Sequence, residues 1–305
     1  MARFAAIVLL SIAVAACALQ GPSVRPTARP GRAPDFDGPL PDGHPPVCEA
    51  AAPPERLSTP APPPAIALRV PGFPDAVVSE PVDSAPSRPV VIALHGLGGR
   101  PEPHCEAWRN VTGGTAFVLC PRGDDDPQHS ARGDRRYTLA GGERLRHHLD
   151  AALRALADRF GGRVDVARPL LAGFSLGAVE ASLFAQKYAA DFPRVALLDG
   201  GVDQWPEGNI DDFAARGGQR VLFGCGSAWC SPPATAASER IERLGLGSRL
   251  VRARVGHTNA PALQAAVREA LPWLLSGDAR WSPIASRNSS LAEPDLQGEW
   301  PLTPR

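Results

Sequence analysis

This chain of 305 residues has no excess charge, since 32 basic and 32 acidic side chains cancel. That argues against a nucleic-acid-binding protein, which usually meets phosphate backbones with a basic stripe. It has a single lysine, Lys187, so its basic set is otherwise arginine; we read this as compositional bias without mechanism. Its N-terminal apolar run, Phe4 to Ala16, falls short of the roughly 20 helical residues that cross a bilayer. It has no internal repeat, and none of its cysteines shows the two-residue spacing of common structural zinc sites. What it does have is 44% hydrophobic residues, enough for a sizeable buried core and against wholesale disorder. The length suits one large domain or two small ones.

Residues 1–17 read as an export signal and are set aside from the fold. Arg3 supplies the positive start, and the apolar run is of h-region length. The run ends Val14-Ala15-Ala16-Cys17, which resembles a bacterial lipobox. That resemblance implies lipidation of Cys17 with a diacylglycerol and an N-acyl chain. Two or more acyl chains anchor firmly where one is marginal. The expected product is a lipoprotein in the cell envelope, held to the membrane through Cys17. Residues 18–64 are dense in proline and lack helix or strand periodicity. They read as an extended linker that reaches ~140 Å at most, at about 3.1 Å per residue.

Export governs the cysteines. In an oxidising compartment Cys48, Cys105, Cys120, Cys225 and Cys230 favour disulfides over metal ligands. Cys105–Cys120 and Cys225–Cys230 are the favoured pairs, each short in sequence, with Cys48 left over; other pairings stay open. A zinc set of Cys225, Cys230 and His104 is the alternative. No metal and no cofactor is expected.

From 65 to 276 the pattern alternates. Strand-like runs are 66–70, 76–80, 90–94, 115–120, 169–174, 195–199, 220–224 and 250–255, several of them continuously apolar, as a sheet covered on both faces requires. Helical runs are 105–110, 142–160, 176–190, 210–216, 233–244 and 261–275. In the strongest, Leu145, Leu149, Leu153, Leu156 and Phe160 recur at spacings of three and four. Such alternation predicts an α/β domain with a mostly parallel, twisted sheet of about eight strands and helices on both faces. The first two strands lack an intervening helix and should start the sheet antiparallel. Residues 277–305 are weakly patterned and expected to form a loosely ordered tail.

Gly173-Phe174-Ser175-Leu176-Gly177 joins the fifth strand to a helix. A sharp strand-to-helix turn holds its middle residue at positive φ, and side chains two positions away would clash, so both are glycine. The Ser175 hydroxyl would then project above the carboxyl edge of the sheet, over the positive end of a helix. A serine needs a base to become a nucleophile. Of seven histidines, His257 follows the last strand and opens at that same edge. His95 follows the third strand and reads as a loop brace; His147 and His148 read as solvated on a helix; His44, His104 and His129 read as linker or loop residues.

His95-Gly96-Leu97-Gly98-Gly99, the Ser175 turn and His257, in this order, resemble the α/β-hydrolase fold over roughly 65–276. The resemblance implies an oxyanion hole made by the N–H of Leu176 and that of Leu97, with Gly98 as the alternative to Leu97. It also implies an acid, which most members carry after the seventh strand. Here that segment, Gly224 to Cys230, has no carboxylate. Asp199, ending the sixth strand, is the first candidate; Asp203 is the second and Glu239 the third. The expected activity is hydrolysis of carboxylic esters through an acyl-enzyme. A serine peptidase of the same fold and a non-catalytic binding lipoprotein are the alternatives. The short segment 200–219 leaves no room for a cap domain, and 121–141 offers at most a flap, so the site should be open to small-molecule or surface-displayed esters on a monomer. Trp108, Trp205 and Trp229 are candidates for lining a pocket, Trp205 foremost. Asp124-Asp125-Asp126 reads as a solvated loop rather than a calcium site, and two Arg-Gly-Asp tripeptides as chance.

Overall fold

A computed structural model describes residues 64–83 and 87–282. The expected export signal with Cys17, the expected linker before residue 64, Cys48 and most of the expected tail, after 282, lie outside the described residues. In chain order the elements are β1 (Ile66–Leu68), β2 (Ala76–Ser79), β3 (Arg88–Leu94), α1 (Pro101–Thr112), β4 (Phe117–Cys120), β5 (Asp124–Asp125), β6 (Tyr137–Thr138), α2 (Gly142–Phe160), β7 (Val164–Phe174), α3 (Leu176–Lys187), β8 (Arg194–Leu198), α4 (Glu207–Ala215), β9 (Arg220–Cys225), α5 (Ser231–Arg243), β10 (Gly247–Arg252) and α6 (Pro261–Leu275).

Eight strands form one sheet in the order β1-β2-β4-β3-β7-β8-β9-β10. β1–β2 and β2–β4 pair antiparallel; every pairing from β4 through β10 is parallel. Side chains alternate across the pleat. Val90, Ile92 and Leu94 join one core with α2, α3, α4 and α5; Val91 and Ala93 join the other with α1 and α6. Leu145, Leu149 and Leu156 give α2 its fully buried stripe, each side chain contributing roughly 1.5–3 kcal/mol of burial.

Chain order reverses around β3, whose neighbours are β4 on one side and β7 on the other. Such a switch point opens a crevice at the carboxyl ends of its strands. Between β8 and β9 there is only a 3-10 turn at 202–204 and α4, so no cap domain interrupts the sheet edge there.

Some boundaries differ from the sequence reading. The last strand is 247–252, not 250–255, because its register is set by pairing with Arg220–Cys225 of β9. α1 begins at Pro101, a residue pre-organised for a first helical turn. The β5–β6 hairpin is too short to carry a period. The domain also continues past 276: Asp278 caps a turn at Ala279–Trp281, and Trp281 is buried against the α1/α6 core. One aromatic side chain does this without any periodic signal.

The bonds Cys105–Cys120, tying α1 to β4, and Cys225–Cys230, closing the loop after β9, are both present, with Cα separations of 5.8 and 5.5 Å. The zinc alternative fails because Cys225 and Cys230 are consumed by their own bond. Among the described residues, no helix is long and apolar enough to cross a membrane.

Candidate active site

Ser175 ends β7 at φ 54° and ψ −121°. A Cβ on Gly173 would stand 2.2 Å from Gly177 O, and one on Gly177 2.3 Å from Leu94 O. Both contacts are impossible for a real side chain, so the two glycines are what lets β7 turn so sharply into α3. Ser175 N donates to Leu198 O at 2.9 Å, and its carbonyl accepts from Ala178 and Val179 N. Leu176 and Gly177 open α3, where a first-turn N–H has no carbonyl four residues back to donate to.

The end of β3 lies against this turn. A Cβ on Gly96 would stand 3.0 Å from Ser175 Cβ. Gly99 N donates to Gly96 O at 2.9 Å, closing a turn over 96–99 with Gly98 at φ 62°. The segment expected as a flap braces this turn instead: Tyr137 N donates to Gly99 O at 3.1 Å. His95 is buried, with Nε2 2.7 Å from Arg122 O and Nδ1 2.8 Å from Gly96 O. Its ring braces the loop. Leu97, between these contacts, is 55% exposed.

His257 follows β10, and its Nε2 lies 2.9 Å from Ser175 Oγ. Its Nδ1 lies 3.5 Å from Asp199 Oδ2. This is longer than a hydrogen bond, and such contacts often tighten only in the substrate complex. Asp199 is wholly buried and holds φ 46° at the end of β8. Its Oδ1 accepts from Gly226 N at 3.0 Å, Ser227 N at 3.1 Å and Ser227 Oγ at 2.8 Å. Its Oδ2 has no hydrogen-bond partner. One oxygen is thus saturated and the other is left facing the imidazole.

The other candidate acids do not reach this group. Asp203 is exposed on the 3-10 turn and Glu239 exposed on α5; neither pairs with His257. The tryptophan reading needs correction. Trp205 is buried edge-on against Phe213 and Phe223, and Trp108 is buried in the α1 core. Trp229 is 54% exposed, with its ring 5.6 Å from that of His257. Phe174 packs against the same imidazole at 5.0 Å.

Two histidines also differ from expectation. His104 lies in α1, not a loop, with its ring beside Phe174 and His95. Burial, reinforced by His95, pushes its imidazole down to about 3, so it is neutral. His148 is buried rather than solvated, stacked on Phe73, and burial lowers its pKa. Asp126 is also buried, and accepts from Gln128 N and His129 N while its other oxygen meets His129 Nδ1 at 2.6 Å. Asp124 pairs with Arg144. These carboxylates already have partners within the protein. The sequence reading missed Gly226 and Ser227. The one available signal was the absence of a carboxylate in a loop expected to carry one.

No protein-family model matches the chain, and no curated protein sequence matches it. Among solved structures it is similar to FphF, a fluorophosphonate-binding serine hydrolase of Staphylococcus aureus in its substrate-bound form. The identity is 14% and the TM-score 0.52, covering 70% of this chain and 100% of that one. It is also similar to the S-formylglutathione hydrolase FrmB of Staphylococcus aureus, at 16% identity and TM-score 0.50, covering 70% of this chain and 96% of that one. At such identities the likeness carries the fold alone.

Proposed function

We propose that this chain, whose fold is that of the α/β hydrolases, is a serine hydrolase that cleaves carboxylic esters through an acyl-enzyme. The observation that carries the reading is the 2.9 Å contact between Ser175 Oγ and His257 Nε2 at a strained turn. Strain of this kind persists only where the surrounding structure imposes it, and it clusters at functional sites.

In this reading His257 Nε2 takes the Ser175 proton as Oγ attacks the ester carbonyl carbon. The C=O bond opens to an oxyanion that accepts from the N–H groups of Leu176 and Leu97. Each such donor is worth roughly 3 kcal/mol of transition-state stabilisation. Asp199 Oδ2 faces Nδ1, fixes the tautomer and stabilises the imidazolium. Collapse of the tetrahedral intermediate breaks the bond to the alcohol oxygen, which takes the proton from His257. A water, deprotonated by the same nitrogen, then releases the acid and restores Ser175.

The cross-class alternative is a non-catalytic lipoprotein that kept the fold. The hydroxyl–imidazole contact favours chemistry over that reading. The uncapped sheet edge suits soluble or surface-displayed esters. We assign the protein to an oxidising compartment from its two disulfides, tethered through lipidated Cys17; Cys17→Ser should release it from membranes in fractionation.

Turnover of a short-chain nitrophenyl ester tests the activity. The protein should show saturable hydrolysis, and Ser175→Ala should lose it by roughly 10⁶-fold in kcat. Equal rates for the two would refute the proposal. A matched anilide substrate separates ester from amide cleavage.

A further inference from the structure

We infer that the loop closed by the Cys225–Cys230 bond is the device that aligns Asp199 with His257, and that Ser227 is its positioning residue. The inference rests on the hydrolase reading above. In the resemblance, this loop would itself carry the acid. Here it carries hydrogen-bond donors aimed at an acid on the neighbouring strand.

The loop touches both members of the pair. On one side Gly226 N, Ser227 N and Ser227 Oγ donate to Asp199 Oδ1, within 2.8–3.1 Å. On the other side Gly226 O accepts from Val255 N at 3.2 Å and Gly256 N at 3.1 Å, and Cys225 O accepts from Ala253 N at 2.9 Å. Those donors lie in the segment that runs directly into His257. Gly226 is wedged between the two: a Cβ there would stand 2.6 Å from Gly256 O and 3.1 Å from Asp199 Oδ2. Trp229, on the same loop, flanks the imidazole. One short piece of backbone therefore fixes the acid by its amides and the approach to the base by its carbonyls.

The disulfide fits this role better than a role in global stability. Its sequence separation is 5, against 15 for Cys105–Cys120. Cross-link stabilisation grows with the length of chain enclosed, so the shorter bridge contributes less. What so short a ring does restrict is the orientation of the amides inside it. Ser227 adds the one side-chain donor among the contacts to Oδ1, and it is buried beside Asp199. Without that hydroxyl the carboxylate can rotate away from Nδ1. Misplacement of a reacting group by about 1 Å costs up to ~10²-fold in rate.

Steady-state kinetics on the intact protein with a nitrophenyl ester tests this, using Ser227→Ala, Asp199→Asn and the double variant. Ser227→Ala should lower kcat about 10- to 100-fold and leave KM within about twofold, since the loss is in alignment and not in substrate contact. In the Asp199→Asn background the same change should cost almost nothing, because the group it aligns has gone. A purely structural role would cost equally in both backgrounds. The double variant Cys225→Ala/Cys230→Ala should lower kcat in the same way; if it fails to fold, the Ser227 cycle still decides. Wild-type kcat in Ser227→Ala, or an equal loss in both backgrounds, overturns the inference and leaves the hydrolase reading standing. Absence of Ser175-dependent turnover in the wild type overturns both.

Discussion

The turns that end β7 and β8 are strained alike and do opposite things. Ser175 at φ 54° and Asp199 at φ 46° are both non-glycine residues in a backbone region that side chains rarely adopt. At Ser175 the strain lifts a hydroxyl out towards the imidazole. At Asp199 it turns a carboxylate in, where it is wholly buried and held by the next loop. The two turns interlock: a Cβ on Gly200 would stand 2.4 Å from Ser175 O. One kind of strain thus presents a hydroxyl at one turn and secludes a carboxylate at the other. The next segment of chain decides which: a helix after Ser175, and a glycine pair under a donor loop after Asp199.

The largest effect is expected from removing the proposed acid. Asp199→Asn should lower kcat by about 10³–10⁴-fold, because the amide favours the wrong imidazole tautomer. Asp203→Asn, on an exposed turn, should stay within about twofold. If Asp203→Asn carries the loss instead, the comparison is between the wrong turns. Next comes the geometry of the Ser175 turn. Gly177→Ala places a Cβ 2.3 Å from the Leu94 carbonyl, and a urea melt should show a loss of about 4 kcal/mol or more.

Burial beneath Phe174 predicts a smaller, pH-dependent effect. The His104 imidazole is held at about 3 against an ordinary 6.5, so the unfolded chain takes up its proton first. The stability of the neutral, buried state is full above pH 6.5 and falls as pH drops from there towards 3. His104→Phe should flatten that fall in urea midpoints measured between pH 7 and 4. An unchanged slope would mean that the ring is not buried as described. The smallest effect is expected at the rim: Trp229→Ala should raise KM for aryl esters by about 3- to 10-fold, as loss of one aromatic contact does, and leave alkyl esters less affected.

Local features of the fold were legible in the sequence; contacts between distant segments were less so. The pattern Gly173-x-Ser175-x-Gly177 is readable because the clashes that demand it lie within a few residues or against one neighbouring strand. The disulfide pairs were readable because both are short. His148 shows a misread period. It falls three residues after Leu145 on the buried stripe of α2, yet its polarity suggested solvent, and its stacking on Phe73 is what resolves the conflict. Trp205 and Trp229 flank loops equally well in sequence, and only the packing against Phe213 and Phe223 separates a core ring from a rim ring. Asp199 was readable as the first of three candidates for the acid. Its Oδ1 is held by Gly226 and Ser227, residues 27 and 28 positions away, which no local pattern connects to it.

In the proposed mechanism His257 activates Ser175. A fluorophosphonate probe, with mass mapping of the labelled peptide, tests it directly. One adduct is expected, on Ser175, forming rapidly in the wild type and at least about 10³-fold more slowly in His257→Ala. Labelling elsewhere, or at the same rate without the imidazole, would contradict it.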